Sequence, residues 1–204
     1  MAAKKTSAKK STTKKSSAKK SASKASGQKS TVAVLIETIG QYLPTKSEDI
    51  VAAIKEDHKG LRNYLGLLKD TDKPMNERRR AYAAFSALLK SHTIAEEKVV
   101  YAQADELTGK ELHIKIAEGY VEHQMADDLM KRIEAARDPM EWSAHCNVLS
   151  EIVEHHLKEE ERDLLPLIRR KAKPAMNMEM LTEFLALRAK TQKRVSAKNA
   201  GALK

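Results

Sequence analysis

One cysteine, Cys146, is all that the 204 residues contain. No internal disulfide framework is possible, and a reducing, cytoplasmic setting is expected. Aromatic side chains make up only 4% of the chain, so the core must come from Leu, Ile, Val and Ala. No apolar run approaches the roughly 20 residues that a membrane-spanning helix needs. The first thirty residues contain no acidic side chain and no apolar core, which excludes a secretory signal. Their basic residues are all Lys, unlike the Arg-rich amphipathic pattern of a mitochondrial presequence. What is plentiful is Ala, Glu, Lys and Leu, a helical composition.

Ten lysines lie in those first thirty residues, and the other 28 basic groups balance the 28 acidic ones, so the tail carries the whole net charge of +10. The lysines recur as the pairs Lys4-Lys5, Lys9-Lys10, Lys14-Lys15 and Lys19-Lys20, spaced by Ser, Thr and Ala. Nothing apolar there can offset the entropy of ordering the segment, so residues 1–30 are expected to be disordered. Low-complexity tails of this kind resemble those of linker histones and of some bacterial nucleoid proteins. The expected partner is a polyanion, foremost DNA, held by phosphate neutralisation without base readout, which implies association with the nucleoid. A solubilising tail, or one that meets acidic lipid or polyphosphate, is the plainer alternative.

From Thr31 the pattern becomes amphipathic. A lead-in helix is expected over 31–44, ending at Pro44. Ser47, with Glu48 and Asp49 after it, reads as the start of the next helix. Val51, Ile54, His58, Leu61, Leu65 and Leu68 form its inward stripe. A second helix from about Asn76 to Glu106 places Phe85, Leu88, His92, Glu96 and Val99 on one face. Gly109 breaks the chain, and a third helix puts Leu112, Ile116, His123, Asp127, Met130 and Ile133 in phase. Asp138-Pro139-Met140-Glu141 opens a fourth, which carries Leu149, Ile152, His156 and Glu160 and declines through Pro166 and Pro174. A last short helix, Met178 to about Lys190, precedes a basic end. The fold class is therefore all-α: an up-down-up-down four-helix bundle over residues 45–173, with short extra helices at either end and residues 174–204 as a C-terminal helix and basic end.

The histidines repeat. His58 precedes His92 by 34 residues, and His123 precedes His156 by 33. Both leading histidines follow an acid, Asp57 and Glu122, and both trailing ones have a Glu four residues on, Glu96 and Glu160. Residues four apart stack on one helix face, and the separations fit a helix up, a turn and a helix back to the same level. Burying Glu96 and Glu160 costs on the order of several kcal/mol unless each is paired or bound to a cation, which points to metal over a metal-free polar layer. His155, about 100° round the helix from His156, reads as a flanking residue. His145 reads as a core or rim histidine, and His113 as exposed. Glu97, Glu159 and Glu161 read as solvated or supporting acids. Arg78-Arg79-Arg80 reads as a solvated face, and the methionines at 175–180 as helix packing.

Asp57-His58, HTIAEEKVVY from His92, Glu122-His123 and HLKEEERDLLP from His156 resemble the hemerythrin-like family, or HHE cation-binding domain, over roughly residues 48–172. The resemblance implies two non-haem iron ions with an oxo or hydroxo bridge. His58 and His92 would hold one, His123 and His156 the other, and Glu96 and Glu160 would bridge them. Imidazole and carboxylate suit iron, and the lack of thiolate argues against zinc or iron–sulfur sites. Where oxygen carriers of the family have a second His on the third helix, this chain has Asp127, a candidate ligand whose charge would favour the ferric state. That shifts the expectation from oxygen transport to binding or sensing of O2, NO, peroxide or iron. A DNA-coating protein with a structural metal, and a di-iron peroxidase or NO-handling enzyme, are the alternatives. No Ser, Cys or Tyr nucleophile stands out in the pattern, which favours a binding protein over an enzyme.

Overall fold

The computed structural model describes residues 49–108 and 110–202, all of whose regular elements are helical. The tail, the lead-in helix over 31–44, Ser47 and Gly109 lie outside them. In chain order the elements are α1 (Ile50–Lys69), α2 (Met75–Ala95), a π-helical turn (Glu96–Tyr101), α3 (Ala102–Thr108), α4 (Lys110–Ala135), α5 (Pro139–Glu159), a second π-helical turn (Glu160–Leu164), α6 (Leu165–Lys171) and α7 (Pro174–Ala202). The stretch from α2 through α3 is one interrupted helix, and so is the stretch from α5 through α6. With α1 and α4 they make the expected four-helix bundle.

Asp49 itself caps α1, its Oδ1 accepting from Ala52 N at 2.8 Å. Asp138 caps α5 as expected, accepting from the backbone N–H groups of Met140 and Glu141. The inward stripe of α1 is buried throughout. On α5 the buried residue is Val153, with Ile152 only half-buried. Arg78 departs from the solvated face expected of it. It is buried, donates Nε and Nη2 to the Leu68 carbonyl at the end of α1, and lies 5.1 Å over the Trp142 ring. An otherwise unpaired helix-end carbonyl is thereby satisfied.

The largest departure is α7. Instead of ending near Lys190 it runs 29 residues, about 43 Å at helical rise, and lies along α2 with contact to α1. Its inward face begins as Met180, Leu181 and Phe184 and continues as Arg188, Thr191 and Gln192, all buried. Asn199 fixes the far end, donating Nδ2 to the Ala83 carbonyl at 2.8 Å.

The apolar core comes in two blocks. One gathers Leu61, Leu65, Phe85, Leu88, Ile133, Trp142 and Leu149. The other gathers Ile50, Ile54, Val100, Tyr101, Leu165 and Phe184. Near their boundary, each of the four bundle helices α1, α2, α4 and α5 carries a buried histidine.

Candidate metal centre

His58 on α1, His92 on α2, His123 on α4 and His156 on α5 are all buried, and Glu96 and Glu160 are buried among them. The donors converge as two groups: His58, His92, Glu96 and Glu160, and Glu96, His123 and His156. Within each, the candidate ligand atoms lie within 4.8 Å of one another. Glu96 Oε2 is 3.3 Å from His92 Nε2 and 3.7 Å from His123 Nε2. Glu160 Oε2 is 3.3 Å from His58 Nε2 and 3.5 Å from His156 Nε2. Each carboxylate therefore stands between one histidine of each pair.

The far side of three of the four rings is hydrogen-bonded to a carboxylate. Glu161 Oε1 is 2.9 Å from His58 Nδ1, Glu97 Oε1 is 2.8 Å from His123 Nδ1, and Glu122 Oε2 is 2.8 Å from His156 Nδ1. Asp57 Oδ2 faces His92 Nδ1 at 3.5 Å and is itself paired with Arg188. The arrangement is a pseudo-twofold one: the acid before each leading histidine faces the trailing one, and the acid after each central Glu, Glu96 or Glu160, backs a leading one. Glu97 and Glu161 thus have the supporting role expected of such acids, and so do Asp57 and Glu122.

This backing decides the chemistry of the inner face. A ring that donates Nδ1–H to a carboxylate presents the Nε2 lone pair inward. His58 Nε2, His92 Nε2, both Glu96 oxygens and Glu160 Oε2 make no hydrogen bond although they are buried, and His123 Nε2 lies 2.9 Å from His156 Nε2. Lone pairs and carboxylates crowded together need a cation between them. Without metal, protons held on the histidines take that role. Burial lowers the His92 pKa, but Glu96 and Asp57 outweigh it and push it up to about 10. His156 is raised likewise, Glu160 and Glu122 outweighing burial. Burial raises Glu160, but His156, His58 and His92 hold it well below the usual carboxylate range. The donors fit a pair of metal ions: imidazole and carboxylate only, in a water-poor layer.

Two expectations need revision. Asp127 is not brought to the cluster. It is more than a third exposed, and both its oxygens accept from Lys90 Nζ at 2.9 Å. The inward line of α4 runs His123, Ala126, Met130, Ile133, passing Asp127 by one residue. The other revision is a tyrosine. Tyr101, buried, donates its hydroxyl to Glu160 Oε1 at 2.6 Å and stacks on His123 at 5.7 Å between centroids. Burial, with Glu160 and Glu96 nearby, raises its pKa well above the usual phenol range, so it stays a donor. The matching position of the second half is Leu165. Spacing relative to the histidine does place a buried residue there, but nothing in the repeat marks one of the two as polar. The two π-helical turns begin at Glu96 and at Glu160. Such turns are frequent at functional sites, and no periodicity in the sequence reveals them.

The hemerythrin HHE cation-binding domain matches residues 49–168, more than half of the chain. The chain belongs to this family. Among curated proteins and among solved structures, none matches it. All six converging donors of this HHE domain, with Tyr101 and the four supporting acids, fall inside the matched segment. Arg188 and Phe184, whose ring lies 6.1 Å from that of His92, fall outside it.

His155 is exposed and lies 3.7–3.8 Å from Glu159 and Glu122, as a flanking residue. His145 is partly buried beside Glu141, and His113 is exposed. Cys146 is buried in apolar surroundings, which push its thiol up to about 12, so it is no nucleophile.

Gly119 on α4 makes room for Tyr101. A Cβ there would meet the Tyr101 hydroxyl at 2.5 Å and Cζ at 3.0 Å. Gly119→Ala is expected to destabilise the fold by about 1–3 kcal/mol through overpacking. Tyr101→Phe in the same chain, which removes the nearest atom, should recover part of that loss in urea denaturation. Additive losses would show that the two positions do not interact.

The titrations set a pH profile for the metal-free protein. His58 and Arg62 hold Glu161 down, against burial, to about 2, so its contribution is complete above 4.5 and is lost as pH falls toward 2. His92, raised to about 10, contributes fully below 6.5 and loses that contribution as pH climbs through 10. Metal-free stability should therefore be greatest between about pH 4.5 and 6.5. Glu161→Gln should flatten the acid limb of the thermal-denaturation profile and leave the alkaline limb as it was.

Proposed function

We propose that the protein is a non-haem di-iron protein that binds or senses a small molecule. His58 and His92 hold one iron, His123 and His156 the other, and Glu96 and Glu160 are shared. The observation that carries this reading is the pair of buried carboxylates whose inward oxygens each lie between the Nε2 atoms of two histidines. Bound there, iron supplies a redox-active Lewis acid able to take O2, NO or peroxide.

The protein's own part is to orient and to exclude. Glu97, Glu122 and Glu161 fix the orientations of three rings, and Asp57 faces the fourth. Tyr101 occupies Glu160 Oε1, which leaves Oε2 toward His58 and His156. Since Asp127 is engaged by Lys90, four imidazoles and two carboxylates make up the donor set, fewer than two six-coordinate ions require, and a small ligand has positions to take. The buried, protonated Cys146 supports binding over covalent catalysis.

Anaerobic iron loading, followed by metal analysis and an absorption spectrum in air, tests the centre. Two irons per chain and charge-transfer bands in the near ultraviolet are expected. Loading that is unchanged in the double variant His58→Ala, His156→Ala would overturn the assignment.

The Lys-rich tail is proposed to hold the protein to nucleic acid. If its eight paired lysines meet phosphates, log K should fall with log salt at a slope of about −7. Two duplexes of unrelated sequence should give equal affinities in fluorescence anisotropy. A chain lacking residues 1–30 that bound as tightly would sink the tail's role.

A further inference from the structure

The two halves of the centre are not equally closed. His58, His92 and Glu96 have 0% exposure, whereas His123, His156 and Glu160 keep 3–6%. On the more open side, a cavity of about 20 Å³ lies against His156 and Glu160, with Gly119 and Leu164 in its wall. That is room for one water-sized particle. Glu160, 95% buried, lines this cavity, and its Oε2 makes no hydrogen bond. Outside, between α4 and α5, runs an open groove of about 550 Å³. Cavity and groove share Lys115, Glu122 and Glu159 as lining. Across that shared wall Lys115 Nζ donates to Glu118 Oε2 at 2.7 Å and to Glu159 Oε2 at 2.9 Å.

We propose that this groove is the path by which divalent cations reach the centre, and that Lys115 is its latch. The inference rests on the di-metal reading above. The opposite side is shut by α7, with Phe184 against His92 and Arg188 on Asp57. Along the groove, Glu118, Glu122 and Glu159 present carboxylates, Asp163 adds one at the cavity, and the exposed His155 adds an imidazole near Glu122 and Glu159. Arg162 is turned onto Asp163 and Glu159, while Lys115 stands at the junction of groove and cavity. Ion pairs at a surface hold loosely, so an incoming cation can displace the ammonium and take its carboxylates in passing. The graded negative field concentrates cations at the mouth and speeds their capture.

The test is stopped-flow loading of the metal-free full chain with Co²⁺, read from the visible absorption of the bound ion. Lys115→Met is expected to load roughly three- to tenfold faster, and Glu159→Gln about threefold slower, most clearly at low salt. Both should reach the wild-type cobalt content at equilibrium, because neither residue is a proposed ligand. Lys69→Met, which breaks the ion pair with Glu154 away from the groove, should load at the wild-type rate. Wild-type rates in both groove variants, with full loading, would overturn the entrance while leaving the centre intact. A lowered final content in either variant would also overturn it, since those residues would then be part of the site. Failure of the wild type to take up Co²⁺ would overturn the di-metal reading and the entrance with it.

Discussion

Glu96→Ala is expected to abolish binding at both metal positions, not one. Glu96 belongs to both converging groups, lying 3.3 Å from His92 and 3.7 Å from His123. It is wholly buried, so water cannot readily replace it. Removing an acid that merely backs a ligand costs about 10–100-fold in metal affinity, and losing a shared ligand should cost more than about 100-fold. Glu97→Gln, which weakens only the support of His123, should fall in the lower range. Asp127→Ala should leave iron content at the wild-type level, because Asp127 serves Lys90. Metal analysis and competition with a chelator separate these outcomes. One iron retained at full affinity in Glu96→Ala would show that the carboxylate serves a single position. The same variant should also let His92 fall from about 10 toward its ordinary range, since Glu96 is the foremost charge that raises it.

Arg188→Ala should be the most destabilising single change away from the centre. Asp57 is 0% exposed and Arg188 1%, and the pair is joined through both carboxylate oxygens. Breaking a buried pair by removing one partner leaves a bare charge and costs about 3–5 kcal/mol. For a domain of this size that lowers Tm by roughly 6–20 °C. The double variant Asp57→Asn, Arg188→Met should recover most of the loss, because burying two neutral groups avoids the stranded charge. A drop of under about 1 kcal/mol in Arg188→Ala would mean that α7 is not firmly docked on α1.

Much of this architecture is legible before any coordinates. The inward stripe of α1, the Asp138 cap and the level meeting of His58, His92, His123 and His156 follow from helical period and spacing. Two of the misses share a cause. An apolar stripe marks a buried face only while the buried residues are apolar. On α7 it stops near Leu187, whereas the buried face goes on through Arg188, Thr191 and Gln192. Arg78 is overlooked for the same reason: its partners, the Leu68 carbonyl and the Trp142 ring, are supplied by tertiary contact. Asp127 fails by a single residue, since an i+4 step from His123 and the i+3 step to Ala126 are equally acceptable to a pattern. Tyr101 is placed by the π-helical turn that it closes, whose wider winding shifts the later residues out of α-helical phase.

The position of α7 also bears on where this protein can be cut. The recognisable family segment ends at residue 168, yet the guanidinium that neutralises Asp57 and the ring that covers His92 come from residues 188 and 184. A fragment trimmed to the recognisable segment would keep every proposed ligand and lose one wall of its chamber. It would expose the His58/His92 half to water, with Asp57 left as an unbalanced negative charge. The family match delimits one segment, and the packed unit here is longer than that segment.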